Sequence, residues 1–215
     1  HFFSRKVEVP KSLSKFIQEV LLLERLREVN ALIGYTRVEA PEETDDPDDR
    51  PPMADLCLGN PQWVPATEVH GEGIFIRFNE SVLTEWEKKD SVKERDRKLF
   101  EGHKGWRNSR KLAPDVGYPR IRYAMLHSFA HLLIRELALE CGYNASSIRE
   151  RIYASTGGDS NMAGVLLYTA AADSDGTLGG LVELGKPEHL GRIISQALSR
   201  AEICASDPLC SEHDP

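Results

Sequence analysis

Two histidines four residues apart, His127 and His131, stand inside a long apolar stretch of this 215-residue chain. On a helix that spacing puts both imidazoles on one face, the geometry of a two-histidine metal clip. A zinc protease needs a glutamate directly after the first histidine as general base. Ser128 occupies that position, which excludes a metalloprotease of that kind. Asp173 and Asp175 could complete the ligand set of a metal-dependent hydrolase. Two core histidines bonded to backbone carbonyls are the preferred reading. A second set of soft donors closes the chain in Cys204-Ala-Ser-Asp-Pro-Leu-Cys210. Its spacing is wider than the usual gap of about two to four residues between zinc thiolates. A turn at Asp207-Pro208 could still bring the sulfurs together, with His213 as a third candidate and further ligands beyond Pro215.

Two other segments have the residue types for anion binding. Gly176-Thr-Leu-Gly-Gly180 follows an apolar run and precedes an apolar turn, as a phosphate-cradling loop would. No Lys-Ser or Lys-Thr follows it, so it is not a nucleotide-binding P-loop. Close backbone packing is the preferred reading. Lys88 to Arg122 holds twelve Lys or Arg against five Asp or Glu, a local net of +7 in a chain whose total is −7. Phe100 and Trp106 lie among those charges, and Trp86 stands just before them. Cations interleaved with aromatics suit single-stranded nucleic acid, by phosphate neutralisation and base stacking. The candidates for phosphate contact are Lys93, Arg95, Lys98, Lys104, Arg107 and Arg110, with Trp106 for stacking. A solvated or protein-docking helix face is the alternative. The acidic total argues against a simple nucleic-acid binder.

The elements that must position these groups follow from periodicity. Lys11–Ile33 carries Leu13, Phe16, Ile17, Val20, Leu21, Leu23, Leu26 and Val29 at helical spacing and is expected to be the first long helix. Seven of the eleven residues Glu39–Asp49 are acidic, and prolines punctuate the stretch, which predicts a solvated linker. Val64–Phe78 alternates as a strand should, and Asn79 is placed to cap a helix running from Glu80 to about Gly102. Pro119–Cys141 is the most apolar helix and the expected centre of the core, with Leu133 and Ile134 inside and Gly142 as its stop. A short helix near Asn144, a strand at Ala163–Thr169 and a helix over Pro187–Ile203 complete the series. The order predicts a mixed α/β unit, a small sheet packed with several helices. Four segments are expected: 1–38, an N-terminal helix and strand; 39–63, the acidic linker; 64–118, a strand with the basic helical segment; and 119–215, the core domain. No apolar run approaches a membrane span, and Cys57 and Cys141 are isolated, as in a protein of the reducing cytoplasm. A chain that begins at His1 and stops inside a cysteine cluster reads as a piece of a longer protein.

Several segments together resemble a known family. Leu126-His-Ser-Phe-Ala-His-Leu-Leu-Ile-Arg135, Glu140-Cys-Gly-Tyr143, Ser147-Ile-Arg-Glu-Arg-Ile-Tyr153, Gly164-Val-Leu-Leu-Tyr168, Asp175-Gly-Thr-Leu-Gly-Gly180 and the Cys204–Cys210 run are similar to the zinc-binding domain of MrfA-type helicases. That domain also occurs, without a helicase, in the DrmB proteins of the bacterial DISARM anti-phage system. Glu24-Arg-Leu-Arg-Glu-Val29, Gly34-Tyr-Thr-Arg37 and Pro65–Phe75 look more like the DrmB version. The resemblance implies a zinc site of four cysteines, the first two matching Cys204 and Cys210 and the second pair lying past Pro215. It implies a non-catalytic subunit that partners a DrmA-like helicase on DNA, and it assigns no catalytic role to His127 or His131. The absence of ATP-binding motifs fits a helicase partner better than a helicase. The alternatives are the C-terminal domain of an MrfA-type repair helicase and, from residues alone, the metal-dependent hydrolase.

Overall fold

The structure, a computed structural model, describes residues 2–36, 53–57, 59, 61–142, 144–156, 161–170 and 179–201. Its organising element is a five-stranded antiparallel sheet formed by β1 (Phe3–Val7), β2 (Ile17–Ala31), β3 (Ala66–Phe78), β4 (Arg149–Tyr153) and β5 (Gly164–Ala170), in the order β1-β2-β3-β5-β4. The helices are α1 (Glu80–Glu87), α2 (Asp90–Ser109), α3 (Arg120–Cys141), α4 (Gly180–Leu184) and α5 (Pro187–Ala201), with a 3-10 turn at Ala145–Ser147. This is the expected mixed α/β architecture. Strands from the segments 1–38, 64–118 and 119–215 all enter the one sheet.

The expected N-terminal helix over Lys11–Ile33 is a correction. Residues 11–16 are turns, and β2 occupies the rest. β2 pairs with β1 on one side and β3 on the other, so its backbone groups are satisfied across the sheet. Bulges between Ile17 and Glu19 and between Leu23 and Leu26 break its alternation. The first bulge sets Ile17 and Val20, three residues apart, opposite Phe78 and Ile76 on one face, so the apolar positions acquire a spacing close to that of a helix. The single helix expected from Glu80 is also two. Asn79 caps α1 as expected, its Oδ1 accepting from the Ser81 amide at 3.2 Å. At Lys89 the backbone turns extended before α2 begins.

Strand alternation gives the sheet one apolar face for the helices. Leu22 lies opposite Ile74, Ile74 opposite Leu167, and Leu167 opposite Glu150, so these four residues line one row of that face. Val20, Ile76, Val165 and Ile152 form the next row. α3 lies over the sheet with Leu126, Ala130, Leu133, Ile134 and Leu137 buried, and it ends at Gly142, whose φ of 69° is the left-handed conformation of a helix stop. α5 packs beside it through Leu190, Ile193, Ile194 and Ala197. The turn after α4 runs so close to the sheet that a Cβ at Gly185 would run into Leu22 and Ile74.

Candidate functional site

α2 displays most of the basic segment, and its cations divide by environment. Lys93 sits 3.9 Å from Asp90, Arg97 is 2.6 Å from Glu94, and Lys104 is 2.9 Å from Glu101 with its ammonium 4.8 Å from the Phe100 ring centre. Each pair is three residues apart on the helix, so acidic side chains offset these charges locally. Arg95, Trp106 and Arg110 are exposed. Eleven residues separate Arg95 from Trp106, about three turns, and four more reach Arg110, so the three fall along one side. The Arg110 guanidinium lies over the Trp106 ring, 4.2 Å from its centre, and His103 stacks on the same ring system. Lys98 is half-buried at the edge of that side.

Arg107 is a correction. It is 3% exposed, and its Nε donates to the Ala113 carbonyl at 2.5 Å, which fastens the loop after α2 instead of offering a charge to phosphate. Arg122, counted in the +7, is likewise committed to the interior. Its side chain is 2% exposed and meets Glu87 at 2.7 and 2.9 Å and Glu80 at 2.7 Å. The hydrogen bonds it donates to Glu87 hold its pKa above the ordinary arginine value. The same region is stapled by Asp96, whose Oδ1 accepts from the Tyr118 hydroxyl at 2.7 Å and the Ile121 amide at 2.9 Å.

The two histidines are not core residues bonded to carbonyls, which corrects the preferred reading. They face outward from α3, their side chains 43% and 62% exposed. What they meet is a residue that sequence reasoning passed over: Glu150 of β4. His127 Nδ1 lies 2.5 Å from Glu150 Oε1, and His131 Nε2 lies 3.6 Å from the same oxygen. The imidazoles touch edge to face with centres 4.4 Å apart, and Tyr123 stacks on His127. Arg149 and Arg151 flank Glu150 in sequence but leave the strand on its other face. Asp173 and Asp175 lie outside the described residues, as do Cys204, Cys210 and His213.

The Gly-rich loop keeps only its end, Gly179–Gly180, among the described residues. There the amides already have an anion of the protein's own. Glu72, 1% exposed in β3, accepts from the amides of Gly179 at 2.8 Å, Leu181 at 2.8 Å and Val182 at 3.2 Å. It thereby caps the start of α4, where unsatisfied amides favour negative charge. The only sequence trace of this role is an acid standing between Gly71 and Gly73 in an otherwise apolar strand. Cys57 is exposed, and Cys141 is half-buried at the end of α3, where burial, aided by Glu72 and Glu140, pushes its thiol up to about 11.

Two comparisons bear on this arrangement. A family model described as the MrfA Zn-binding domain matches residues 129–213, from the middle of α3 to the cysteine run. The DISARM protein DrmB of Bacillus paralicheniformis is 40% identical over 219 aligned residues, which cover 99% of this chain and 37% of that protein. The chain therefore spans a little more than a third of the length of the curated relative it matches. No described helix is long and apolar enough to cross a membrane.

Proposed function

The chain is a DrmB-like segment carrying a match to the MrfA Zn-binding domain, and from that premise we propose that it serves as a non-catalytic part of a cytoplasmic anti-phage defence complex of the DISARM type. The complex holds a DrmA-like helicase, and this subunit adds DNA contact through the exposed side of α2 at Arg95, Trp106 and Arg110. Zinc is held by Cys204 and Cys210 together with ligands supplied from elsewhere in the protein. ATP hydrolysis belongs to the partner.

One observation carries the reading. The similarity to DrmB runs through 99% of the chain, and so includes β1, β2, β3 and the basic helix that precede the zinc-domain match. A zinc domain shared with repair helicases accounts for residues 129–213 alone. The test is made in cells carrying the complete defence system. Tagged full-length protein is expected to co-purify with the helicase subunit, to contain zinc that is lost on C204S/C210S substitution, and to show no ATPase activity by itself. Phage restriction that persists without the helicase subunit, or ATP hydrolysis by the isolated full-length protein, would overturn it.

A further inference from the structure

We propose that His127, His131 and Glu150 form a second metal site, separate from the cysteines, that takes a first-row divalent transition ion such as zinc. The site stands on residues of α3 and β4 and does not depend on the defence reading.

Three observations converge on it. The donor atoms of the three side chains all lie within 4.8 Å of one another. A tetrahedral ion with bonds of about 2.0–2.2 Å holds its ligands roughly 3.3 Å apart, so small rotamer shifts suffice to seat one. The donors also come from rigid elements: the histidines from one face of α3, and the glutamate from a strand whose register opposes it to Leu167. A site built on a helix and a strand keeps its geometry better than one on loops.

The second observation is the close pair. His127 Nδ1 and Glu150 Oε1 approach to 2.5 Å, sharing one proton in a hydrogen bond. A cation takes that proton's place, and the pair opens to the spacing of metal-bound donors. The third is the other carboxylate oxygen. Oε2 of Glu150 is buried and has no hydrogen-bond partner among the described residues, although the Glu150 side chain as a whole is 19% exposed. Buried carboxylate oxygens normally find donors. An ion bound by both oxygens of Glu150 satisfies it.

The chemistry of the donors selects the ligand. Two imidazoles and one carboxylate suit zinc and its first-row neighbours, whereas magnesium and calcium prefer oxygen ligands throughout. The exposure of His131 leaves room for water to complete the coordination shell. Bound there, the ion would tie α3 to the edge strand β4.

The experiment uses full-length protein as wild type, C204S/C210S, H127Q/H131Q and E150Q, each stripped of metal and reloaded with cobalt(II). The C204S/C210S protein is expected to bind cobalt with visible d–d absorption and without the thiolate-to-cobalt charge-transfer band. Adding H127Q/H131Q should abolish that absorption, and E150Q should weaken cobalt binding at least tenfold. By elemental analysis, zinc-loaded wild type should hold one ion more than H127Q/H131Q, a comparison that needs no cysteine variant. Equal zinc in those two proteins, or cobalt spectra indifferent to the histidines, would overturn the proposal. Loss of zinc from C204S/C210S with the histidine site retained would bear on the cysteine site alone.

Discussion

Replacing Glu72 with Ala should loosen the chain where α4 meets the sheet. The carboxylate serves three amides, of which Leu181 and Val182 lie in a fully buried setting and Gly179 in a partly buried one. Leaving a buried amide without an acceptor costs about 1–3 kcal/mol. The two buried amides therefore set a loss of about 2–6 kcal/mol. Relief from holding the carboxylate itself out of water offsets part of that, and about 2–4 kcal/mol is expected. Glu72→Gln keeps one oxygen. Placed where Oε2 now accepts from Gly179 and Val182, it leaves only Leu181 unserved, for a loss of about 1–3 kcal/mol. Hydrogen exchange of the 179–184 segment in full-length protein reads this directly, because local opening sets the exchange rate there. Exchange should rise by about 30- to 1000-fold in the alanine variant, and by less in the glutamine variant. Unchanged protection in Glu72→Ala, or greater loss in Glu72→Gln, would refute the capping role.

Arg122→Ala should destabilise the protein by about 3–5 kcal/mol, since it strands Glu80 and Glu87 around a buried guanidinium site; an effect below about 1 kcal/mol in thermal denaturation would contradict that. Burial first, and then the hydrogen bond to Asp96, raises the Tyr118 phenol above its ordinary value of about 10. A raised folded-state value means that the stabilisation is complete below about pH 10 and is lost as the pH climbs towards the folded value, so Tyr118→Phe should flatten the alkaline fall in stability while leaving a native protein at neutral pH. With its thiol near 11, Cys141 should react with a disulfide reagent on the order of a hundredfold more slowly at neutral pH than an unperturbed thiol, and rate parity with the exposed Cys57 would contradict this.

What the sequence disclosed depended on whether a signal was local. The Asn79 cap, the Gly142 stop, the apolar length of α3 and the short Val-Leu-Leu-Tyr strand all came through, because cap chemistry and run length need no tertiary partner. β2 did not, since its bulges erased the alternation that identifies a strand. β1 carries no pattern of its own and exists through pairing with β2. The chemistry followed the same division. His127 and His131 announced themselves by spacing, whereas Glu150 joins them only through the packing of β4 under α3. A count of charges over Lys88–Arg122 could not distinguish Arg95, open to solvent, from Arg107 and Arg122, which fold inward to hold the helices together.

DNA binding by the assembled complex, measured across a range of salt, bears most directly on the role assigned to this chain. Charge reversal at Arg95 and Arg110, the exposed pair flanking Trp106, removes two cations from one side of α2 without touching the buried arginines. The complex carrying both substitutions should assemble normally, bind DNA more weakly at low salt, and show a salt dependence shallower by about two counterions. An intact complex with unchanged affinity and slope would contradict the account, and a complex that no longer assembles would assign that side of α2 to the partner protein instead.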